Sequence, residues 1–372
     1  MRLGIHGWRL CAHRTGVPRY LRSLVREWDG TSSHRFSDIT LYTPRPLDDD
    51  DEQAIAPAIH RAVLPSSARM LVWENLQLGL RASDDVLFCP SYSRPLVARG
   101  RTVVVTHDMI YCVQPRLFPA HSRGFYRALY GWSDRHATLV IAVAEAVKDE
   151  IVHYCGVPPE RVRVTYLAPA PYFRPVEDAV AVAAARRRVI GADVPYFLFV
   201  GKTTGRRSLT TVIEGFARFC TSRHLSHRLL LVGRGTDSGV LRAHAARLGV
   251  ADRVVHAGFL DDDTLNLLYN GATALVTGAV YETTSLPVME AQAAGVPVIC
   301  YGNPGMVEIT DGAAMLLRSM DTASISDAMV DLAEDAALWR SLRDRGLASA
   351  ARFSWARCAR ETMAILEEAA TR

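Results

Sequence analysis

The stretch 273–300 reads TALVTGAVYETTSLPVMEAQAAGVPVIC. Residues 274–277 form a short apolar run of strand type. Thr284 or Ser285 suits an N-cap, Pro287 a first helical turn, and Gly295 the position just past a helix end. The stretch therefore reads strand, loop, helix, strand, the building unit of a parallel α/β sheet. It sets two carboxylates, Glu282 and Glu290, eight residues apart across the strand-to-helix junction. Glu282 is expected in the loop beyond the carboxyl end of the strand and Glu290 about one turn into the helix. Open parallel sheets bind ligands at such junctions. A helix N-terminus favours anions, so a phosphate suits this place, with the two carboxylates accepting hydrogen bonds from ribose and sugar hydroxyls.

The surroundings of the pair resemble the retaining family 4 glycosyltransferases of the two-domain GT-B fold, whose signature is a Glu, seven residues and a second Glu. Leu286 and Pro287 within the interval, then Glu290, Ala291, Ala294, Gly295, Pro297 and Val298, carry the likeness. Thr283, Thr284 and Ser285 depart from it, standing where the family commonly has Gly-Phe-Gly. The resemblance implies an α/β chain with two facing Rossmann-like domains, an interdomain cleft and a C-terminal helix crossing back to the first domain. It further implies transfer of a sugar from a UDP- or GDP-linked nucleotide sugar to a hydroxyl of a glycan, a lipid-linked intermediate or a small molecule, with retention and without metal or other cofactor. Glu290 is then assigned to the ribose, Glu282 to the transferred sugar, and Thr283, Thr284, Ser285 and Leu286 to the donor site.

Outward from this stretch, residues 201–209 read GKTTGRRSL after an apolar run at 196–200. This resembles the family's glycine, short loop, basic pair and helix, which sets Gly201 in the donor site and Lys202, Arg206 and Arg207 beside a diphosphate. Arg binds phosphate oxygens in bidentate fashion and Lys as a compact charge. In the first half, residues 15–20, TGVPRY, follow a strand at 2–5 and resemble a loop that faces the donor phosphates; Gly16 is the candidate contact. The G-x-G-x-x-G pattern of dinucleotide sites is absent from this loop. A buried strand at 101–106 ends in His107 and Asp108, similar to the family's His-Asp-Leu motif near sugar and acceptor. Histidine suits hydrogen bonding to a hydroxyl or proton handling near neutral pH. Phe353, Ser354 and Trp355 precede a helix resembling the family's terminal one.

The 372 residues exceed what one core usually holds, about 250 to 300 residues, so two domains are expected. The boundaries read 1–178 for an acceptor domain, 179–352 for a nucleotide-sugar domain and 353–372 for the returning helix. With 49% hydrophobic and 22% charged residues the composition is globular, and a net charge of +4 gives no general nucleic-acid binder. Seven scattered cysteines without a CxxC pair indicate neither zinc nor a disulfide framework. The run at 48–52, five consecutive acids, reads as a solvated loop rather than a metal site. No signal peptide or spanning segment is evident, which predicts a cytoplasmic chain. The helix expected at 119–136, with Phe125, Leu129 and Trp132 on one face and Arg123, Arg127 and Arg135 elsewhere, leaves peripheral contact with the inner membrane face open beside an ordinary packed surface helix. Two rival activities are a nucleotide-sugar epimerase and a binding module without catalysis. A pyridoxal-phosphate phosphorylase would need a Schiff-base lysine, and neither Lys148 nor Lys202 lies in a segment resembling one.

Overall fold

The computed structural model describes residues 1–11, 16–28, 34–204, 207–223 and 225–372. It divides into one unit of Met1–Leu167 with Ser354–Arg372 and another of Ala168–Phe353. Each carries a single parallel sheet.

In the first unit, β1 (Arg2–His6), β2 (Asp38–Thr43), β3 (Ile59–Val63), β4 (Val86–Cys89), β5 (Arg101–Thr106), β6 (Leu139–Ala142) and β7 (Val162–Val164) lie in the order β3-β2-β1-β4-β5-β6-β7. β4 and β6 are apolar throughout and β5 is apolar at its centre, Val103 to Val105, and all three are almost wholly buried, because helices cover both faces of a parallel sheet. β2 and β3 were not anticipated. β2 alternates half-buried and buried positions, and β3 is a short edge strand, so neither shows the continuous apolar run of the central strands.

The second unit repeats the plan. β8 (Tyr196–Val200), β9 (Arg228–Val232), β10 (Val254–Gly258), β11 (Ala274–Val276), β12 (Val298–Tyr301) and β13 (Met315–Leu317) lie in the order β10-β9-β8-β11-β12-β13. β8 runs parallel to both β9 and β11, with Phe197 opposite Ala274 and Leu198 opposite Leu275. In each sheet the strand order reverses once, between β1 and β4 and between β8 and β11. A doubly wound sheet opens its ligand crevice beyond the carboxyl ends of such a strand pair.

The helix Trp355–Thr371 belongs to the first unit although it ends the chain. Ser354 caps it by accepting the Arg357 N–H, Trp28 donates its indole N–H to Ala359 O at 3.1 Å, and Arg163 pairs with Glu368 at 2.7 Å.

The acidic run at 48–52 is not a loop. Asp48 accepts the Asp51 N–H at 2.9 Å and caps the helix Asp49–Ala54, whose acidic first turn complements the helix dipole. Arg22 pairs with the buried Asp51 and Arg61 with Glu52. The helix Ala120–His136 is packed rather than free: Tyr130 is buried, Trp132 stacks on His136 at 4.7 Å, and the Arg94 guanidinium lies 5.3 Å from the Trp132 ring. Only Phe125 of its expected apolar face stands well exposed.

Candidate active site

The loops after β8 and β11 meet at the reversal point of the second sheet. Glu282 follows β11 and is 7% exposed; its Oε1 lies 3.2 Å from Arg207 Nε. The pair joins the basic loop to the carboxylate loop in a largely desolvated place, where a charge-assisted bond is stronger than in water. Gly201 follows β8 at φ +151, a conformation favourable only to glycine, and a side chain there would collide with the Arg207 guanidinium. Ser208 holds φ +37 before the helix Leu209–Ser222. Such backbone in a non-glycine residue costs about 1–2 kcal/mol, and strain of this kind gathers at functional loops.

Thr283, Ser285 and Leu286 are buried beside Glu282. Ser285 holds the N-cap position of the helix Leu286–Ala293, but its side chain does not cap it. The first N–H groups of a helix lack intrahelical partners, so this terminus is suited to an acceptor-rich anion. Glu290, 2% exposed, accepts a hydrogen bond from Tyr269 OH at 3.1 Å. Tyr269, on the helix Asp262–Asn270, is held edge-on by Phe173 at 5.5 Å. Nothing in the sequence marked Tyr269, since a helical aromatic reads as core.

Asn303-Pro304-Gly305 was missed as well. A Cβ on Gly305 would stand 2.6 Å from Thr283 O and 2.7 Å from Glu282 O, so the helix Pro304–Thr310 presses directly on the loop carrying Glu282. Lys202 is exposed. Arg206 lies outside the described residues.

Gly16 and His107 belong to the first unit. Gly16 opens the helix Gly16–Glu27 and is exposed, and among the described residues nothing lies within 4 Å of where its Cβ would be. His107, 9% exposed, donates from Nε2 to Pro90 O at 2.8 Å. Burial lowers its pKa to about 4, so the ring is neutral at pH 7 with Nδ1 the acceptor nitrogen. It is therefore no proton donor near neutral pH. The Tyr92 ring tilts against it at 5.5 Å, and Tyr92 OH donates to Asp108 Oδ2 at 3.2 Å. Tyr92 holds φ +61 on the loop after β4, and Arg9, just after β1, donates to Ser91 Oγ at 2.8 Å. The Arg9–Ser91 contact joins the loops at the reversal point of the first sheet, as the Arg207–Glu282 pair does at that of the second. Behind this loop lies Glu74, 1% exposed, which accepts from Ser93 Oγ at 2.7 Å and stands 3.2 Å from His6 Nε2. Arg9, Tyr92 and Glu74 carried no signal in the sequence beyond residue type.

Two family models match the chain in succession, the glycosyltransferase family 4 model over residues 14–168 and the glycosyl transferases group 1 model over residues 184–347. The chain belongs to the family 4 glycosyltransferases. Among relatives of this glycosyltransferase, the O-antigen chain mannosyltransferase B of Escherichia coli is 26% identical over 71% of the chain and 69% of the relative. A D-inositol 3-phosphate glycosyltransferase of Acidothermus cellulolyticus is 31% identical over 55% of the chain, which spans about half of it, 48%. The fold is shared with HepE from Anabaena, solved in complex with UDP and glucose, at a TM-score of 0.76 and 16% identity over 97% of both chains. The enzyme is thus a nucleotide-sugar glycosyltransferase of the hexosyl-transferring kind, built on the GT-B fold. Among the described residues no helix is long and apolar enough to cross a membrane.

Proposed function

We propose that the enzyme moves a hexose from a UDP- or GDP-linked donor to a hydroxyl of a glycan, with retention and without a metal ion or other cofactor, the acceptor being carried on a lipid at the inner face of a membrane. The second unit holds the donor. Glu290 accepts from the ribose hydroxyls and Glu282 from the transferred sugar, while Gly201, Thr283, Thr284, Ser285 and Leu286 shape the pocket around them. Lys202, Arg206 and Arg207, with the N-terminus of the helix Leu286–Ala293, face the diphosphate. Its leaving charge needs stabilising where it develops, and these groups are of the type that does so. In the step itself the acceptor oxygen bonds to the anomeric carbon, and the carbon–oxygen bond to the diphosphate breaks with its electron pair going to phosphate. The acceptor proton passes to a phosphate oxygen of the leaving group. Gly16 leaves room for phosphate approach, and neutral His107 accepts a hydrogen bond from a sugar hydroxyl.

The observation that carries this reading is the Arg207–Glu282 pair at the reversal point of the second sheet, beside the buried Glu290. The donor's base and sugar divide the relatives: mannosyltransferases recur among them by sequence, whereas HepE, a structural neighbour, was solved with UDP-glucose. Calorimetric titration of GDP-mannose and UDP-glucose, in buffer with chelator, tests the donor half. One of the two should bind, and Glu290→Ala should weaken it about tenfold or more, since a hydrogen bond to a charged group is worth roughly 1.5–3 kcal/mol. Equal affinity in variant and wild type removes Glu290 from the site.

A further inference from the structure

The chain between β3 and β4 is helical over residues 70–81, as an α-turn at Met70–Trp73, a π-turn at Glu74–Leu78 and a last turn at Gly79–Arg81. Four residues of a regular α-helix overshoot a full turn by about 40°, so positions four apart drift around it. The wider i→i+5 turn removes the drift. Trp73 and Glu74, then Leu78 and Gly79, are buried on the inner side, while Val72, Leu76 and Leu80 stand 46%, 59% and 50% exposed in one line. The next loop extends the line: Leu96 donates its N–H to Asn75 Oδ1 at 2.7 Å, Pro95 packs on Gly79, and Leu96 and Val97 are 57% and 60% exposed. Five large aliphatic side chains thus share one face of the first unit. A protein of this size normally buries such groups or uses them.

The charges on the face are predominantly positive. Arg69, Arg81 and Arg99 are exposed, and within residues 64–83 and 94–100 the only acid is Glu74, which is buried. Asp85, exposed at the edge of the face where its carbonyl lies against Gly100, accepts the Arg2 N–H at 2.7 Å. A second copy on this face would set arginine against arginine across a two-fold, with only Asp85, already held by the Arg2 N–H, as an exposed acid at its edge. Nor does the face carry exposed Tyr or Trp, the aromatic anchors of protein interfaces. Aliphatic side chains ringed by arginine are instead the composition that settles at the headgroup boundary of an anionic bilayer.

We propose that Val72, Leu76, Leu80, Leu96 and Val97, with Arg69, Arg81 and Arg99, form a docking face for an anionic phospholipid surface, which brings the first unit to a lipid-borne acceptor. The proposal extends the membrane part of the functional reading and moves the contact away from the helix Ala120–His136. The test is co-sedimentation of the full chain with vesicles of phosphatidylcholine alone and of phosphatidylcholine with phosphatidylglycerol. Binding is expected to the anionic vesicles only, to weaken at high ionic strength, and to fall about tenfold or more in Leu76→Ser/Leu80→Ser and in Arg69→Gln/Arg81→Gln. These residues lie at the surface, so both variants should keep the wild-type melting temperature and nucleotide affinity. Absence of binding to anionic vesicles overturns the proposal, as does binding untouched by both double variants. A wild-type dimer that Leu76→Ser/Leu80→Ser makes monomeric would show a subunit interface instead and overturn it equally. Donor titration on the same preparations separates this failure from failure of the transferase reading, because nucleotide binding requires no vesicle.

Discussion

Gly305→Ala is the sharpest test of the carboxylate loop. The added methyl would stand 2.6 Å from Thr283 O, 2.7 Å from Glu282 O and 2.7 Å from Thr283 Cα, all backbone atoms that no rotamer change can clear. Ordinary carbon-to-oxygen contact begins near 3.3 Å, so either the helix Pro304–Thr310 or the loop must move by roughly 0.7 Å. Overpacking of this kind costs about 1–3 kcal/mol of stability. The loop is the part with fewer bonds to break, so the shift should fall on Glu282 and Thr283. A displacement near 1 Å at a substrate-positioning group costs about a hundredfold in rate. The variant should therefore lose one to two orders of magnitude in kcat/KM for the donor while its melting temperature falls by only a few degrees. Transfer is followed by release of nucleoside diphosphate at subsaturating donor, with a thermal melt on the same sample. Normal transfer together with a lowered melting temperature would refute the reasoning: the strain would have gone into the helix, and the pressed contact would be packing with no hold on the site.

His107→Ala should lower turnover at saturating donor by about tenfold, the worth of one neutral hydrogen bond, and leave nucleotide affinity nearly unchanged; His107→Gln, which can still donate to Pro90 O, separates loss of that bond from loss of the imidazole. Because burial lowers the His107 pKa to about 4, the wild-type turnover profile should show no inflection from it near pH 6.5. Burial raises Asp134 to about 7, against which Thr106 Oγ1 and the Cys155 thiol donate hydrogen bonds. Folded chains then hold a proton that unfolded chains release above about pH 4, so the contribution is complete below that pH and is lost as pH rises through 7. The span is worth roughly 4 kcal/mol, and urea melts should show Asp134→Asn gaining on wild type by up to that amount between pH 4 and pH 8. A constant difference across that range would place the proton elsewhere. Transfer should survive excess EDTA; loss of activity restored by magnesium or manganese would assign the diphosphate charge to a cation.

The sequence carried the second unit better than the first. The runs at β8, β9 and β12 are continuous and apolar, and the Glu282–Glu290 interval names its own loop and helix. β2 and β3 hid because half-buried strands near a sheet edge mix polar and apolar residues. The acidic run at 48–52 was misread because its helix is short and its stability comes from Arg22 and Arg61, distant in sequence. Tyr269, Gly305 and Glu74 escaped for a shared reason: each acts through a neighbour brought by folding, and no local spacing announces it. The charge of His107 escaped too, since a pKa depends on burial that residue type alone does not state.

The π-turn at Glu74–Leu78 has a consequence for how this part of the chain can change. Its outward set, 72, 76 and 80, and its inward set, 74, 78 and 82, both repeat every four residues, and each holds its phase only because one extra residue sits in the turn. Substitution on the outer face leaves that count alone. A one-residue deletion inside the turn changes it and restores the ordinary winding, but four residues at about 100° each sweep nearly the same angle as five in the wider turn, so Leu80 and Ala82 keep their faces. The segment is therefore permissive to exchange of side chains on its outer face and to loss of the one extra residue inside the π-turn, so related chains can run through it as an ordinary helix one residue shorter between Trp73 and Ala82.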